Sequence, residues 1–218
     1  MGELIFTPIQ KQVFDAFGKN ESLCQKFYFT GGTALAVFYL EHRYSDDLDF
    51  FSLKPFDDEE VLAFINQLAQ QLELNYIVNK QTLVTTFQFS KEGGLLLKID
   101  FSHYPYPLVN KGKIVDHVQI DSLRDIATNK LLTIILRQSV KDFVDLYFLL
   151  QKDFSIWDLI YGLEAKFRME TDILYLASDF LKSQKFEILP KMIKPLELAE
   201  LKAFFKKQAI DLGWKIAE

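Results

Sequence analysis

The chain has 218 residues, 49% of them hydrophobic and 25% charged, and a net charge of −5. That length supports one mixed domain or two small ones with a real core, and the composition is that of a folded globular protein. The acidic balance excludes a protein that coats nucleic acid by charge alone, though not a local basic patch; a single cysteine, Cys24, excludes a disulfide framework and a cysteine-ligated zinc site.

The opening "MGELIFTPIQKQVF" has no basic segment before an apolar run, and Phe6 stands where N-myristoylation needs Ser or Thr. No apolar stretch approaches the roughly 20 residues of a membrane span, so no membrane partner and a cytoplasmic location are expected. After Pro8, the spacing of Ile9, Val13, Phe14 and Phe17 predicts a helix ended by Gly18. "KFYFT" is strand-like and runs into Gly31-Gly32, and "TALAVFYLEH" reads as a buried helix. "DLDFFS" is the next strand, and "DDEEVLAFINQLAQQL" is a helix whose acidic first turn suits the helix dipole.

"LVTTFQFS" and "LLLKIDFS" are two strands joined by a hairpin turn at "KEGG", and "KIVDHVQI" reads as one further strand. From Asp121 the pattern turns helical, with segments near 122–137, 141–151, 156–168, 171–182 and 195–212. The expected organisation is an α+β domain over 1–120, a mixed sheet with flanking helices, and a helical domain over 121–218. The lysines from Lys182 onward suit a solvated amphipathic helix better than a nucleic-acid patch.

Residues 41–60 carry eight carboxylates against Arg43 and Lys54. Asp47 and Asp49, two apart on a strand, point to one face while Leu48 and Phe50 point to the other. Side-by-side carboxylates repel unless a cation lies between them, and Mg²⁺, or Mn²⁺, takes such hard oxygen ligands while leaving positions for phosphates. Asp100, the one carboxylate of "LLLKIDFS", completes a three-acid site if its strand lies beside "DLDFF". Gly31 and Gly32, at a strand-to-helix junction, let an anion approach the main chain at the end of the helix that begins near Thr33. Glycines, acids and the later Asp100 together favour a metal–nucleotide site over a surface edge.

These residues resemble the core signature of the polymerase-β nucleotidyltransferase superfamily, with a slightly long spacing between the glycines and Asp47. More narrowly, "GGTALAVFYLEHRYSDDLDFF" and "NKLLTIILRQSVKDFVDLYFLL" resemble the AbiEii-type nucleotidyltransferases, toxins of type IV toxin–antitoxin systems. The resemblance implies a polymerase-β-like mixed sheet followed by a helical half. It further implies that Gly31, Gly32 and Thr33 meet the nucleotide, that Asp47, Asp49 and Asp100 bind metal, and that Lys130 and Asp142 or Asp145 have active-site roles. The reaction implied moves a nucleoside monophosphate from an NTP to an acceptor hydroxyl, possible acceptors being RNA or a tRNA end, with an antitoxin protein as partner.

Read without the family, a single helix over 130–145 would put Lys130, Arg137, Lys141 and Asp145 on one stripe, with Lys130 and Arg137 over a triphosphate. Ser139-Val-Lys-Asp142 also fits a capping box, in which case the helix restarts there; a Lys141–Asp145 surface pair is the plainer alternative. Arg43 suits either a phosphate or a pairing with Asp46 or Asp47, and Ser45 a phosphate or, more simply, a turn. His42, His103 and His117 lack metal-ligand spacing and are assigned no catalytic role. Tyr104-Pro105-Tyr106-Pro107 is a stiff loop, packed or base-stacking. The rival readings are an inactive nucleotide-binding module acting through a protein partner, and a metal-dependent nuclease, against which the glycine cradle counts.

Overall fold

Phenylalanine, at 21 residues, is what the core is made of. In the computed structural model, which describes residues 5–217, the chain forms two compact units. The Met1-Gly2 pair lies outside the described residues. The first unit takes in 1–39, 45–107 and 111–122, and the second 40–44, 108–110 and 123–218. Two short pieces, 40–44 and 108–110, therefore belong with the late helices.

The first unit opens with α1 (Pro8–Gly18), whose entry is a capping box between Thr7 and Gln10, with Pro8 in the first turn. α2 (Glu21–Lys26) leads to β1 (Tyr28–Thr30), then α3 (Gly31–Leu35), which continues as a π-helical turn over Ala36–Leu40. β2 (Asp47–Ser52) and α4 (Asp58–Leu72) match the sequence reading closely. β3 (Asn75–Lys80) was not expected; it is an edge strand, mostly exposed, so its residues carry no in–out alternation. β4 (Val84–Lys91) and β5 (Gly94–His103) form the expected hairpin.

The segment "KIVDHVQI" corrects the expectation of one strand: it is a tight hairpin of β6 (Lys113–Val115) and β7 (Val118–Ile120). Asp116 and His117 at its tip have φ of 48° and 68°, the twin left-handed residues of a type I′ turn, here without the usual glycine.

The sheet order is β3-β4-β5-β2-β1-β7-β6, with β2–β5 and β1–β7 parallel and the other pairs antiparallel. One face is largely apolar: Phe29, Leu48, Phe50, Phe87, Phe89, Ile99 and Phe101 are buried. Phe17 of α1 stacks on Phe50 at 4.1 Å between ring centres, and Phe50 stacks on Phe101 at 5.2 Å. Each such ring removes some 150–250 Å² from water, so this face anchors the central strands and fixes their register.

The second unit contains α5 (Leu123–Leu136), α6 (Val140–Lys152), α7 (Ile156–Phe167), α8 (Ile173–Leu181) and α9 (Leu198–Ala217). α5 and α7 cross at Gly162, where a Cβ would lie 2.5 Å from Thr128 Oγ1. α9 buries Leu201, Phe205, Ala209 and Leu212 and leaves Lys206 and Lys207 outside. Segment 40–44 joins this unit through backbone: Tyr44 N–H donates to Lys191 O at 2.9 Å, and Ile193 N–H to His42 O at 2.9 Å. No helix among the described residues is long and apolar enough to cross a membrane.

Candidate active site

The face of the sheet opposite the aromatic core is polar, and the period-two pattern of β2 explains why. Leu48, Phe50 and Ser52 go in, so Asp47, Asp49 and Phe51 go out. β5 runs parallel beside β2 with Asp47 opposite Lys98 and Asp49 opposite Asp100. Residues directly opposite share a face, so Asp47, Asp49 and Asp100 lie together on two central strands, as the sequence reading required. Thr30 is opposite Asp49 on the other flank, and Thr86 is opposite Asp100.

Gly31 meets this face from the turn after β1. Its φ is +77°, and a Cβ there would lie 2.0 Å from Asp49 Oδ2. Glycine is required twice over, by the backbone angle and by the carboxylate. Thr33 is buried and its hydroxyl donates to the Asp47 carbonyl, so it ties the following helix to the start of β2. Thr30 stands at the N-cap of α3, but its hydroxyl donates to Asp121 Oδ2 at 2.7 Å and makes no cap bond. Asp121, given no site role from the sequence, also accepts Ser122 N–H and receives the Tyr39 hydroxyl on its carbonyl.

Lys98 is the residue that sequence reasoning missed on this face. Its Nζ is 2.7 Å from Asp100 Oδ2, while Thr86 Oγ1 donates to Asp100 Oδ1 at 2.7 Å. Half-burial works against the charge on Lys98, yet the carboxylates of Asp100, Asp47 and Asp49 outweigh it and hold its pKa above the ordinary lysine value. Both Asp100 oxygens are thus engaged, and among the described residues no three His, Cys, Asp or Glu side chains form a group that could hold a metal ion. The donor set nonetheless fits a hard cation: carboxylate oxygens on rigid strands, with an ammonium now filling the cation's electrostatic place. The signal for Lys98 was readable, since it precedes Asp100 by two and must share its face.

The second cluster lies wholly in the second unit and, apart from Arg137, is buried. Arg43, 1% exposed, grips Asp145 with Nε to Oδ1 at 2.6 Å and Nη2 to Oδ2 at 2.8 Å, and its Nη1 donates to the Tyr44 carbonyl. This bidentate pairing gives Arg43 a partner that the sequence reading did not offer. Lys130 Nζ is 2.6 Å from Asp145 Oδ2 and 2.7 Å from Asp142 Oδ1, and Arg137 Nε is 2.9 Å from Asp142 Oδ2. His42 Nε2 is 2.6 Å from Asp145 Oδ1.

Burial alone would raise the Asp145 carboxyl, but Lys130, Arg43 and His42 hold it well below the usual carboxylate range. Burial also opposes the charge of Lys130, which Asp145 and Asp142 keep above its ordinary value. Burial pushes the His42 imidazole down, and Arg43 and Lys130 add to that against the pull of Asp145. A neutral His42 therefore donates from Nε2 and leaves Nδ1, buried and without a hydrogen-bond partner, as an acceptor.

Two helices, not one, supply this cluster. The break at 137–139 removes the proposed single stripe, and the capping box is not made: Ser139 stands at the N-cap with no side-chain bond, because Asp142 turns to Lys130 and Arg137. Asp145 is not half of a surface pair with Lys141; it is fully buried. Arg137 keeps a largely exposed side chain. Ser45, at the link into β2, is half-buried and its carbonyl accepts from Gln10 Nε2 at 2.8 Å. Tyr104 packs against Phe51 and Tyr106, while Pro105, Tyr106 and Pro107 are exposed.

Residues 16–217 match the family model described as nucleotidyl transferase AbiEii toxin, type IV TA system. An uncharacterised protein of Aquifex aeolicus (strain VF5) is 40% identical over 157 residues, 69% of this chain and 70% of that protein. Among solved structures, a candidate nucleotidyltransferase of H. pylori superposes with a TM-score of 0.60 at 22% identity, over 95% of this chain and 94% of the other. MenT4, a nucleotidyltransferase toxin of Mycobacterium tuberculosis H37Rv, does so with a TM-score of 0.54 at 17% identity, over 93% and 85%. At these identities the solved structures share the fold.

Proposed function

The chain belongs to the AbiEii nucleotidyltransferase toxin family, and on that premise we propose that it moves a nucleoside monophosphate from an NTP to the hydroxyl of an RNA acceptor. The acceptor oxygen attacks the α-phosphorus, the bond from that phosphorus to the bridging oxygen breaks, and pyrophosphate leaves. The hydroxyl proton passes to Asp100, whose Oδ1 accepts from the Thr86 hydroxyl on the neighbouring strand. Asp47, Asp49 and Asp100 would hold Mg²⁺, which when bound neutralises the phosphates and eases deprotonation of the hydroxyl. Gly31 and Gly32 give the phosphates access to the main chain beside Asp49, with Ser45 at the same end of β2.

Lys130 and Asp145 enter from the family's second block, together with Arg137. Arg43 and Thr33 act through others, on Asp145 and on the Asp47 backbone. Most of the rate would come from positioning and charge neutralisation. The biological role is that of a cytoplasmic growth-inhibiting toxin restrained by an antitoxin protein.

The observation that carries this reading is the register that sets Asp49 against Asp100, with Gly31 closed onto Asp49. The test is incubation with Mg²⁺ or Mn²⁺, each α-labelled NTP and total cellular RNA, beside Asp49→Ala. Label in RNA, pyrophosphate release and a silent variant are expected. NTP binding without label or pyrophosphate would favour a binding module instead, and neither binding nor label would sink the proposal.

A further inference from the structure

We propose that Lys98 is the resident counter-cation of the carboxylate triad, holding Asp47, Asp49 and Asp100 together in the metal-free protein and passing to the triphosphate when metal and nucleotide enter. The proposal rests on the metal–nucleotide reading of that face. β5 is an interior strand, flanked by β4 and β2, so Lys98 is not an edge lysine reaching into solvent. Its register partner is Asp47, and its ammonium is 2.7 Å from Asp100, whose own partner is Asp49. One ammonium thus stands within the field of three carboxylates confined to two adjacent strands.

Without a cation, those carboxylates repel at close range on a half-buried surface, where water screens them less than in solution. A lysine answers this better than an arginine would. Its charge is compact, it has three donors, and its four-carbon stem lets it leave without moving the strand. Both Asp100 oxygens are engaged, Oδ2 by Lys98 and Oδ1 by Thr86. Cation entry therefore requires Lys98 to withdraw, and the nearest large anion then available to it is the nucleotide's phosphate chain. Lys98 in this role is a positioning residue before substrate arrives and a phosphate ligand afterwards.

Lys98→Met, isosteric along the stem but uncharged, separates this from an ordinary salt bridge. Mn²⁺ affinity is read by electron paramagnetic resonance and stability by thermal unfolding, neither of which depends on turnover. The variant is expected to bind Mn²⁺ about tenfold more tightly than the native chain, having no ammonium to displace. It is expected to unfold at a lower temperature without metal, and to recover that loss with Mn²⁺. Lys98→Arg should restore the metal-free stability, since it restores the charge. With saturating Mn²⁺, Lys98→Met should bind a fluorescent NTP analogue about tenfold more weakly.

Equal Mn²⁺ affinity in the native and Lys98→Met chains, or a metal-free variant as stable as the native chain, would overturn the role of Lys98 while leaving the metal reading intact. Mn²⁺ binding to neither chain would overturn both.

Discussion

At the scale of single residues, two positions bear more than their side chains suggest. Gly31 has a left-handed backbone and no room for a Cβ beside Asp49. We expect Gly31→Ala to cost about 1–3 kcal/mol of stability in urea unfolding. By displacing Asp49 it should also lower nucleotide transfer about 100-fold; an active, stable variant would show that the carboxylate has no fixed place. Asp145 is the other. Asparagine there removes the one carboxylate that Arg43 and Lys130 both meet, and we expect a loss of about 3–5 kcal/mol by the same measurement.

The same buried cluster sets the acid limit of the protein. His42 has a folded pKa below its ordinary 6.5, so the unfolded chain takes the proton first and stability declines as pH falls below that value. Asp145 is depressed below 3.8, so its contribution is complete above that pH and is lost as acid protonates it in the folded state. Unfolding free energies measured from pH 7.5 downward should fall in two stages. His42→Gln should remove the first stage and keep the second; a profile unchanged by that substitution would exclude His42 as the source.

At the scale of elements, helix starts divide into those made by side chains and those made by tertiary contacts. Ser155 and Asp158 form a complete capping box at α7, whereas Ser139 makes no such bond at α6. Ser155→Ala should cost about 1 kcal/mol, and Ser139→Ala less than about 0.5 kcal/mol, in thermal or urea unfolding. The sequence pattern was the same at both, a serine followed three residues later by aspartate. What differs is that Asp142 has two cations, Lys130 and Arg137, to turn to. β3 and the β6–β7 hairpin escaped prediction for related reasons. An exposed edge strand has no buried face to imprint on its sequence, and the Asp116-His117 turn lacks the glycine that marks most I′ turns.

At the scale of the molecule, ligand binding and folding are linked. At a nucleotide concentration about 100 times its Kd, with Mn²⁺ present, the bound state gains about 2.7 kcal/mol, and a chain of this size should melt roughly 5–11 °C higher. EDTA should abolish the shift, and Asp49→Ala should not show it; a shift that survives both would place the nucleotide elsewhere. The acid-bearing face was legible in the chain, because alternation along "DLDFFS" and "LLLKIDFS" needs only the geometry of a strand to assign sides. So were the glycine turn and most helices, which obey local rules of period and backbone freedom. Only the tertiary structure decided that Arg43 belongs to Asp145, 102 positions away, and that residues 40–44 fold with the late helices. A buried charge takes whichever partner the packed chain brings within reach, and no local pattern encodes that distance.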